Sequence, residues 1–283
     1  MILAVASGKG GTGKTSVAVN LAKVLDTPVQ LLDCDVEEPN AHLFLGGSLI
    51  NEEEISISVP EIIPRNCNAC DECVSFCQFN ALASFCSVPL VFPELCHGCG
   101  GCALVCPHDA IREVDFRIGE IRTFQAGAIT LKSGCLDVGV SLASELVHSV
   151  KACREEGIIA ILDAPPGTAC PAVATLRGAN FVLLVTEPTP FGLHDLKLAV
   201  DTVRELRLSF GVVINRVGIG DERVHRYCAE ENIPVLLELP DDRRIAEAYS
   251  RGELIVEALP EYRRYFESLW CAIRRETGEG ITS

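Results

Sequence analysis

The stretch ILAVASGKGGTGKTSVAVNLAKVL, residues 2–25, decides the fold. ILAVA is a short apolar run of the kind that buries as a strand, a glycine-rich turn follows, and TSVAVNLAKVL then carries apolar residues at helical spacing. Between strand and helix, Gly8 to Thr15 read GKGGTGKT and satisfy G-x-x-x-x-G-K-[ST] in the context the motif requires. The glycines let backbone N–H groups converge on phosphate oxygens, while Lys14 reaches the terminal phosphates and the Thr15 hydroxyl ligates magnesium. Gly8, Lys9, Gly10, Gly11, Thr12, Gly13, Lys14, Thr15 and Ser16 are therefore the candidate phosphate cradle. The alternative is a glycine turn that binds nothing.

Further buried-strand runs recur at PVQLLDC (28–34), IIAILDA (158–164), FVLLVTE (181–187), FGVVINR (210–216) and PVLLELP (234–240). Helical patterns fall between them at 141–156, 191–207, 221–231 and 242–250, and a last one at 260–276. Strand alternating with helix predicts an α/β fold, a mostly parallel sheet with helices on both faces. The alternation breaks between about 55 and 122, where cysteine, proline and short polar turns take over. The chain thus divides into an α/β domain of residues 1–54 and 123–283 and a small inserted α+β domain, 55–122.

Composition narrows the function. A net charge of −15 repels nucleic acid phosphates, so no nucleic-acid partner is expected. With 48% hydrophobic residues in 283, the chain can bury a substantial core, and neither a secretory leader nor a membrane span is visible. A cytoplasmic protein is expected. Fifteen cysteines in a reducing compartment point to metal rather than disulfides.

Eight of them stand at Cys67, Cys70, Cys73, Cys77, Cys96, Cys99, Cys102 and Cys106. They form C-x2-C-x2-C-x3-C twice with a period of 29 residues, so the insert reads as two stacked half-modules. This is the bacterial ferredoxin run, and the insert resembles a two-cluster ferredoxin across its length. In that run three neighbouring thiolates hold one 4Fe-4S cluster and the fourth serves the other. The resemblance assigns Cys67, Cys70, Cys73 and Cys106 to one cluster, and Cys96, Cys99, Cys102 and Cys77 to the second. Zinc is the alternative for thiolates at this spacing. Pro107 follows Cys106 as the ferredoxin pattern expects, whereas Gln78 follows Cys77, which loosens the turn there.

Lys9 is surplus to an ordinary phosphate loop. KGGTGKT resembles the deviant Walker A loop of the MinD/ParA family of P-loop ATPases, relatives of Mrp-type carriers and the nitrogenase iron protein. There the early lysine reaches the partner subunit's nucleotide; a solvated surface lysine is the alternative. The resemblance continues in LLDCDVEEPN (31–40), where Asp35 would orient the attacking water near magnesium and Asp33 would be structural. In ILDAPPGT (161–168), Asp163 would bond the magnesium water shell and Gly167 would lie near the γ-phosphate. In VVINR (212–216), Asn215 would bond adenine and Arg216 stack on it, and Pro240 and Asp242 of LPDD (239–242) would close over the base. The family implies ATP and magnesium as cofactors, with Lys9, Lys14, Asp35 and Asp163 as the catalytic set. It also implies slow hydrolysis in a homodimer formed on ATP binding, or a heterodimer with a related ATPase.

Cys135 and Cys170 resemble in placement the two cysteines by which the nitrogenase iron protein shares a cluster between subunits; buried free thiols are the alternative. Cys228 and Cys271 are expected in the core, and His97 and His108 as hydrogen-bond donors to cluster sulfur. YRRYFESLWCAIRR is expected to pack on the sheet rather than bind a membrane, with the polar tail ETGEGITS after it. Three functions remain open: ATP-controlled electron transfer to an unknown redox partner, an iron-sulfur cluster carrier, and a positioning ATPase with redox-sensing clusters. A carrier is expected to show a C-x-x-C pair late in the ATPase domain, and none follows residue 106.

Overall fold

The computed structural model describes residues 1–85 and 87–278; Cys86 and the tail's end, 279–283, lie outside the described residues. From the N-terminus come β1 (Ile2–Ala6), α1 (Lys14–Val24), β2 (Val29–Asp33), α2 (His42–Leu45) and β3 (Ser48–Ile62). The cysteine segment contains α3 (Glu72–Phe76), β4 (Leu82–Ala83), β5 (Leu90–Val91) and α4 (Gly101–Leu104). β6 (Ile111–Ala126), β7 (Ile129–Leu136), α5 (Ala143–Ala152), β8 (Ile159–Asp163), α6 (Cys170–Leu176), β9 (Phe181–Thr186) and α7 (Pro190–Glu205) follow. The chain closes with β10 (Phe210–Val217), α8 (Arg223–Glu230), β11 (Val235–Pro240), α9 (Arg243–Ser250), α10 (Ile255–Ala258) and α11 (Arg263–Glu276).

A nine-stranded sheet runs β11-β10-β9-β1-β8-β2-β7-β6-β3. It is parallel from β11 through β7, and β6 and β3 join antiparallel at one edge. Alternation along each strand divides the core. Leu3 and Val5 of β1 pack with α1 and α11 on one face, and Ala4 and Ala6 with α5, α6, α7 and α8 on the other. Burial on both faces explains the near-continuous apolar runs of the parallel strands. On α11 the stripe Phe266, Leu269 and Ile273 is fully buried, worth about 1.5–3 kcal/mol per side chain. This helix packs against α1 and β11 as the sequence leads one to expect. Cys271 corrects an expectation: it lies on the opposite face of α11 and is exposed, whereas Cys228 is buried.

The largest departure from the sequence reading is the hairpin of β3 and β6. Residues 48–62 pair with 111–125 as one ladder, interrupted between Leu49 and Asn51 and again at Ile55/Ser56. Gly119 to Ala126 also pair with β7, which fastens the ribbon to the sheet, while 111–117 reach beyond β7 paired with β3 alone. The cysteine segment, 63–110, is strung between the ends of this ribbon. β3 is largely exposed, and β6 and β7 mix buried with half-buried residues, so none of the three shows the continuous apolar run that marks the central strands.

Candidate functional sites

The parallel strands deliver every nucleotide-motif residue to one side of the sheet, at their carboxyl ends, where open α/β sheets bind ligands. Gly11 and Gly13 adopt φ of 77° and 95°, which turns the loop after β1 so that α1 begins at Lys14. Gly8 has a different role: a Cβ there would lie 2.1 Å from the Asp195 carbonyl oxygen, so the loop is seated directly on α7. Ser7 Oγ donates to the Lys9 carbonyl at 2.5 Å.

A cavity of about 1400 Å³, counted to its open mouth, lies beside this loop. Gly10, Gly11, Gly13, Lys14, Thr15 and Ser16 line it together with Asp35, Asn215, Arg216, Pro240 and Asp242. The lining residues not singled out from the sequence include Leu239, Ile245, Ala246, Tyr249 and Ile255. They give the cavity an apolar wall, and for Ile245, Ala246 and Tyr249 the helical pattern of RRIAEAYS was the only signal. Gly8, Lys9, Thr12, Asp163 and Gly167 do not line the cavity. Thr12 is buried with its hydroxyl unpartnered, and Gly167 (φ 88°) donates its N–H to the Ser7 carbonyl.

Two carboxylates beneath the loop behave differently. Asp33 is buried and accepts backbone N–H groups of Asp35 (3.3 Å), Asn40 (3.1 Å) and Ala41 (3.1 Å), so it shapes the 33–41 loop, the structural part expected of it. Asp163 is 1% exposed, and neither of its oxygens meets a protein donor in hydrogen-bond geometry, the Thr15 hydroxyl lying nearby. Burial pushes its pKa up to about 7 against the pull of the Thr15 hydroxyl and Lys14. Asp35 is likewise pushed up to about 6 by burial, with Lys14 opposing. An orphaned buried carboxylate next to a threonine hydroxyl and a second carboxylate fits a hydrated magnesium ion.

Glu187, a buried carboxylate just after β9, was missed from the sequence. It receives Lys9 Nζ at 3.2 Å and Arg216 Nη1 at 2.9 Å. Lys9 is thereby held away from the cavity of its own chain. Asn215 lines the cavity while its amide donates to the Thr12 carbonyl at 2.8 Å. Asp242 caps α9 by accepting from Arg244 N, and it also accepts from the Tyr262 hydroxyl. The Arg244 guanidinium holds its carboxyl well below the usual range.

The cysteine segment is built twice. Left-handed residues recur 29 apart at Ala69 and Gly98, Asp71 and Gly100, and Asn80 and Asp109. Backbone bonds recur with the same spacing: Cys67 N to Pro64 O and Cys96 N to Pro93 O, Cys77 N to Val74 O and Cys106 N to Ala103 O. The halves also exchange strands, since Phe92 N–H reaches Ala81 O and Ile63 N–H reaches Ala110 O. This exchange carries the last cysteine of each run toward the other half. Cys67, Cys70, Cys73 and Cys106 line one hollow of about 340 Å³, and Cys77, Cys96, Cys99 and Cys102 another of about 520 Å³. These are the two groups of four that the ferredoxin resemblance assigns.

Four cysteines around each hollow are a donor set that fits an iron-sulfur cluster. Among the described residues no group of three or more His, Cys, Asp or Glu side chains is placed to hold a metal ion. Backbone N–H groups of Gly98 and Ala110 point at Cys96 Sγ (3.4 Å) and Cys106 Sγ (3.3 Å). These amides, rather than the histidines, donate to sulfur. His97 pairs through Nδ1 with Glu145 and stacks on Phe79, and His108 lines the smaller hollow. Cys135 lies on β7 opposite Glu120, and Cys170 is exposed at the start of α6. No described helix is long and apolar enough to cross a membrane.

A model of the CobQ/CobB/MinD/ParA nucleotide-binding domain matches residues 3–255. An uncharacterized protein of Methanocaldococcus jannaschii is 32% identical over 280 residues, 95% of this chain and 96% of its own length. A second from that organism is 32% identical over 227 residues, covering 78% of this chain and 80% of its own. An iron-sulfur cluster carrier protein of Synechocystis is 52% identical over 50 residues, 17% of this chain and 14% of the carrier. The septum site-determining protein MinD of Pyrococcus horikoshii, solved with Mg-ADP, shares the fold at TM-score 0.60 and 20% identity, covering 100% of this chain and 98% of that one.

Proposed function

The chain belongs to the CobQ/CobB/MinD/ParA nucleotide-binding family, and from that premise we propose that it is an ATP-hydrolysing iron-sulfur protein of a reducing cytoplasm, in which nucleotide state controls electron transfer from two 4Fe-4S clusters to a redox partner. One observation carries this reading. A phosphate-loop cavity and two four-cysteine hollows stand on one sheet, joined by the β3–β6 ribbon.

At the cavity, loop amides and Lys14 bind the phosphates, and the wall of Ile245, Ala246 and Tyr249 takes the base. Thr15 and Asp163 hold magnesium and its water, which would neutralise charge developing on the phosphoryl group. Asp35 orients the attacking water. Lys9, released from Glu187, reaches the nucleotide of a second subunit, a like chain or a related ATPase, and this makes the loop a deviant Walker A. In the ferredoxin-like insert, 55–122, each set of four thiolates holds one cubane, which would take up and pass single electrons. The amides of Gly98 and Ala110 stabilise thiolate charge, and Cys135 and Cys170 are open to a further bridge between subunits.

A cluster carrier is the second reading, favoured by the 50-residue match to the Synechocystis carrier. Positioning of the MinD kind is the third, resting on shared fold. Anaerobic spectra with and without Mg-ATP decide. Electron transfer requires a 4Fe-4S signal that responds to ATP and not to ADP, and hydrolysis that disappears in Lys14→Ala. Insensitive clusters handed to an apoprotein establish the carrier, and a colourless protein with no iron excludes both.

A further inference from the structure

Resting on the reading that nucleotide state governs two clusters, we propose that Glu145 is a positioning residue through which the nucleotide site addresses one thiolate set only, that of Cys77, Cys96, Cys99 and Cys102. The two halves of the cysteine segment share a backbone but not surroundings. In the second half the loop between Cys96 and Cys99 rests on the body of the protein. Gly98 (φ 63°) sits where a Cβ would come 3.2 Å from the Ser58 carbonyl on β3. His97, beside Cys96, is held on two sides: its ring stacks on Phe79 at 3.9 Å, and Nδ1 meets Glu145 Oε1 at 2.5 Å. In the first half, 29 residues earlier, Ala69 is exposed where Gly98 is half-buried, and Asn68, the counterpart of His97, accepts from the Cys70 N–H two residues on.

Glu145 lies in the first turn of α5, where the helix N-terminus favours a carboxylate. The far end of the same helix grips α6. Lys151 donates to the Ala174 and Arg177 carbonyls at the C-terminal end of α6, the latter at 2.7 Å. Val147 and Val150 share a buried cluster with Ala174 and Leu176. α6 in turn begins at Cys170, directly after the 164–169 segment that follows Asp163. Two short helices, each moving as a body, thus connect the segment beside the γ-phosphate position to the loop carrying Cys96. A shift of α6 on nucleotide binding turns α5, and α5 carries Glu145 and His97 with it.

The test is an EPR-monitored redox titration of the anaerobic full-length protein, with and without magnesium and a non-hydrolysable ATP analogue. Glu113 lines the hollow of Cys77, Cys96, Cys99 and Cys102 and not the other, so Glu113→Gln raises one midpoint and labels that cluster. In the wild type the labelled midpoint shifts with nucleotide and the other stays. Glu145→Ala abolishes the shift with iron content and ATP hydrolysis unchanged, and Glu145→Gln, whose amide oxygen still accepts from His97, restores part of it. Lys151→Met, which cuts the other end of the helix link, also loses the shift. The inference is overturned if the labelled midpoint still moves in Glu145→Ala, if the other midpoint moves instead, or if both move together. A wild type in which neither responds overturns the coupling reading itself and this inference with it, so the two failures are distinct.

Discussion

Asp33 and Asp163 are register partners on the adjacent strands β2 and β8, both fully buried, yet Asp33 accepts three backbone N–H groups and Asp163 accepts none. The same environment therefore contains one carboxylate that serves the fold and one whose oxygens are left unpartnered. Asp33→Ala strands three backbone donors, one buried and two part-buried, and is expected to cost about 2–3 kcal/mol, read as a lower denaturant midpoint. Asp163→Asn is expected to raise the stability of the nucleotide-free chain while lowering Mg-dependent hydrolysis by about 100-fold or more. A destabilised Asp163→Asn protein would contradict this division.

The pKa values of Asp163, about 7, and Asp35, about 6, lie above the usual 3.8. Folding therefore retains protons that the unfolded chain has released. Their contribution to stability is complete below 3.8 and is lost as pH rises through 6 and then 7. The melting temperature of the nucleotide-free chain is expected to fall from about pH 4 to pH 7 and to level off above pH 7 on this account. Saturating Mg-nucleotide holds both groups ionised and flattens that slope, which a series of melts across this range measures.

The strand exchange between the cysteine halves makes a cross-assignment testable. Cys77→Ser is expected to disturb the cluster labelled by Glu113→Gln, and Cys106→Ser the other, each variant leaving one normal 4Fe-4S signal. Damage to the cluster nearer in sequence would show that each run of four serves itself.

Gly8→Ala places a methyl against the Asp195 carbonyl, a backbone atom that cannot swing aside. Loop and α7 must part, at a cost on the order of 1–3 kcal/mol. Calorimetry is expected to show nucleotide binding weakened by about ten-fold or more, with the cluster spectra unchanged.

The sequence made the phosphate loop legible because glycine spacing and helix start coincide, and the cysteine groups legible because a 29-residue period repeats ligand types. The central strands were legible because burial on both faces leaves an unbroken apolar run. β3, β6 and β7 were not: in SLINEEEISISVPEI only Ile55, Ile57 and Val59 alternate with polar residues, and that short run follows a charged, exposed stretch that faces water. Glu187 escaped for another reason. A single acidic residue after a strand carries no pattern, and only the fold brings Lys9 and Arg216 to it. His97 was expected to serve sulfur, but the helix that offers Glu145 arrives from 48 residues away.

Ile62 and Ile111, the last pair of the long ribbon, face each other in register. Two neighbouring chain positions thus bracket all 48 intervening residues, a gap that a two-residue reverse turn would close. Such an attachment would let the whole cysteine segment be removed or replaced at one point of the chain, without renegotiating the folding of the sheet that carries it.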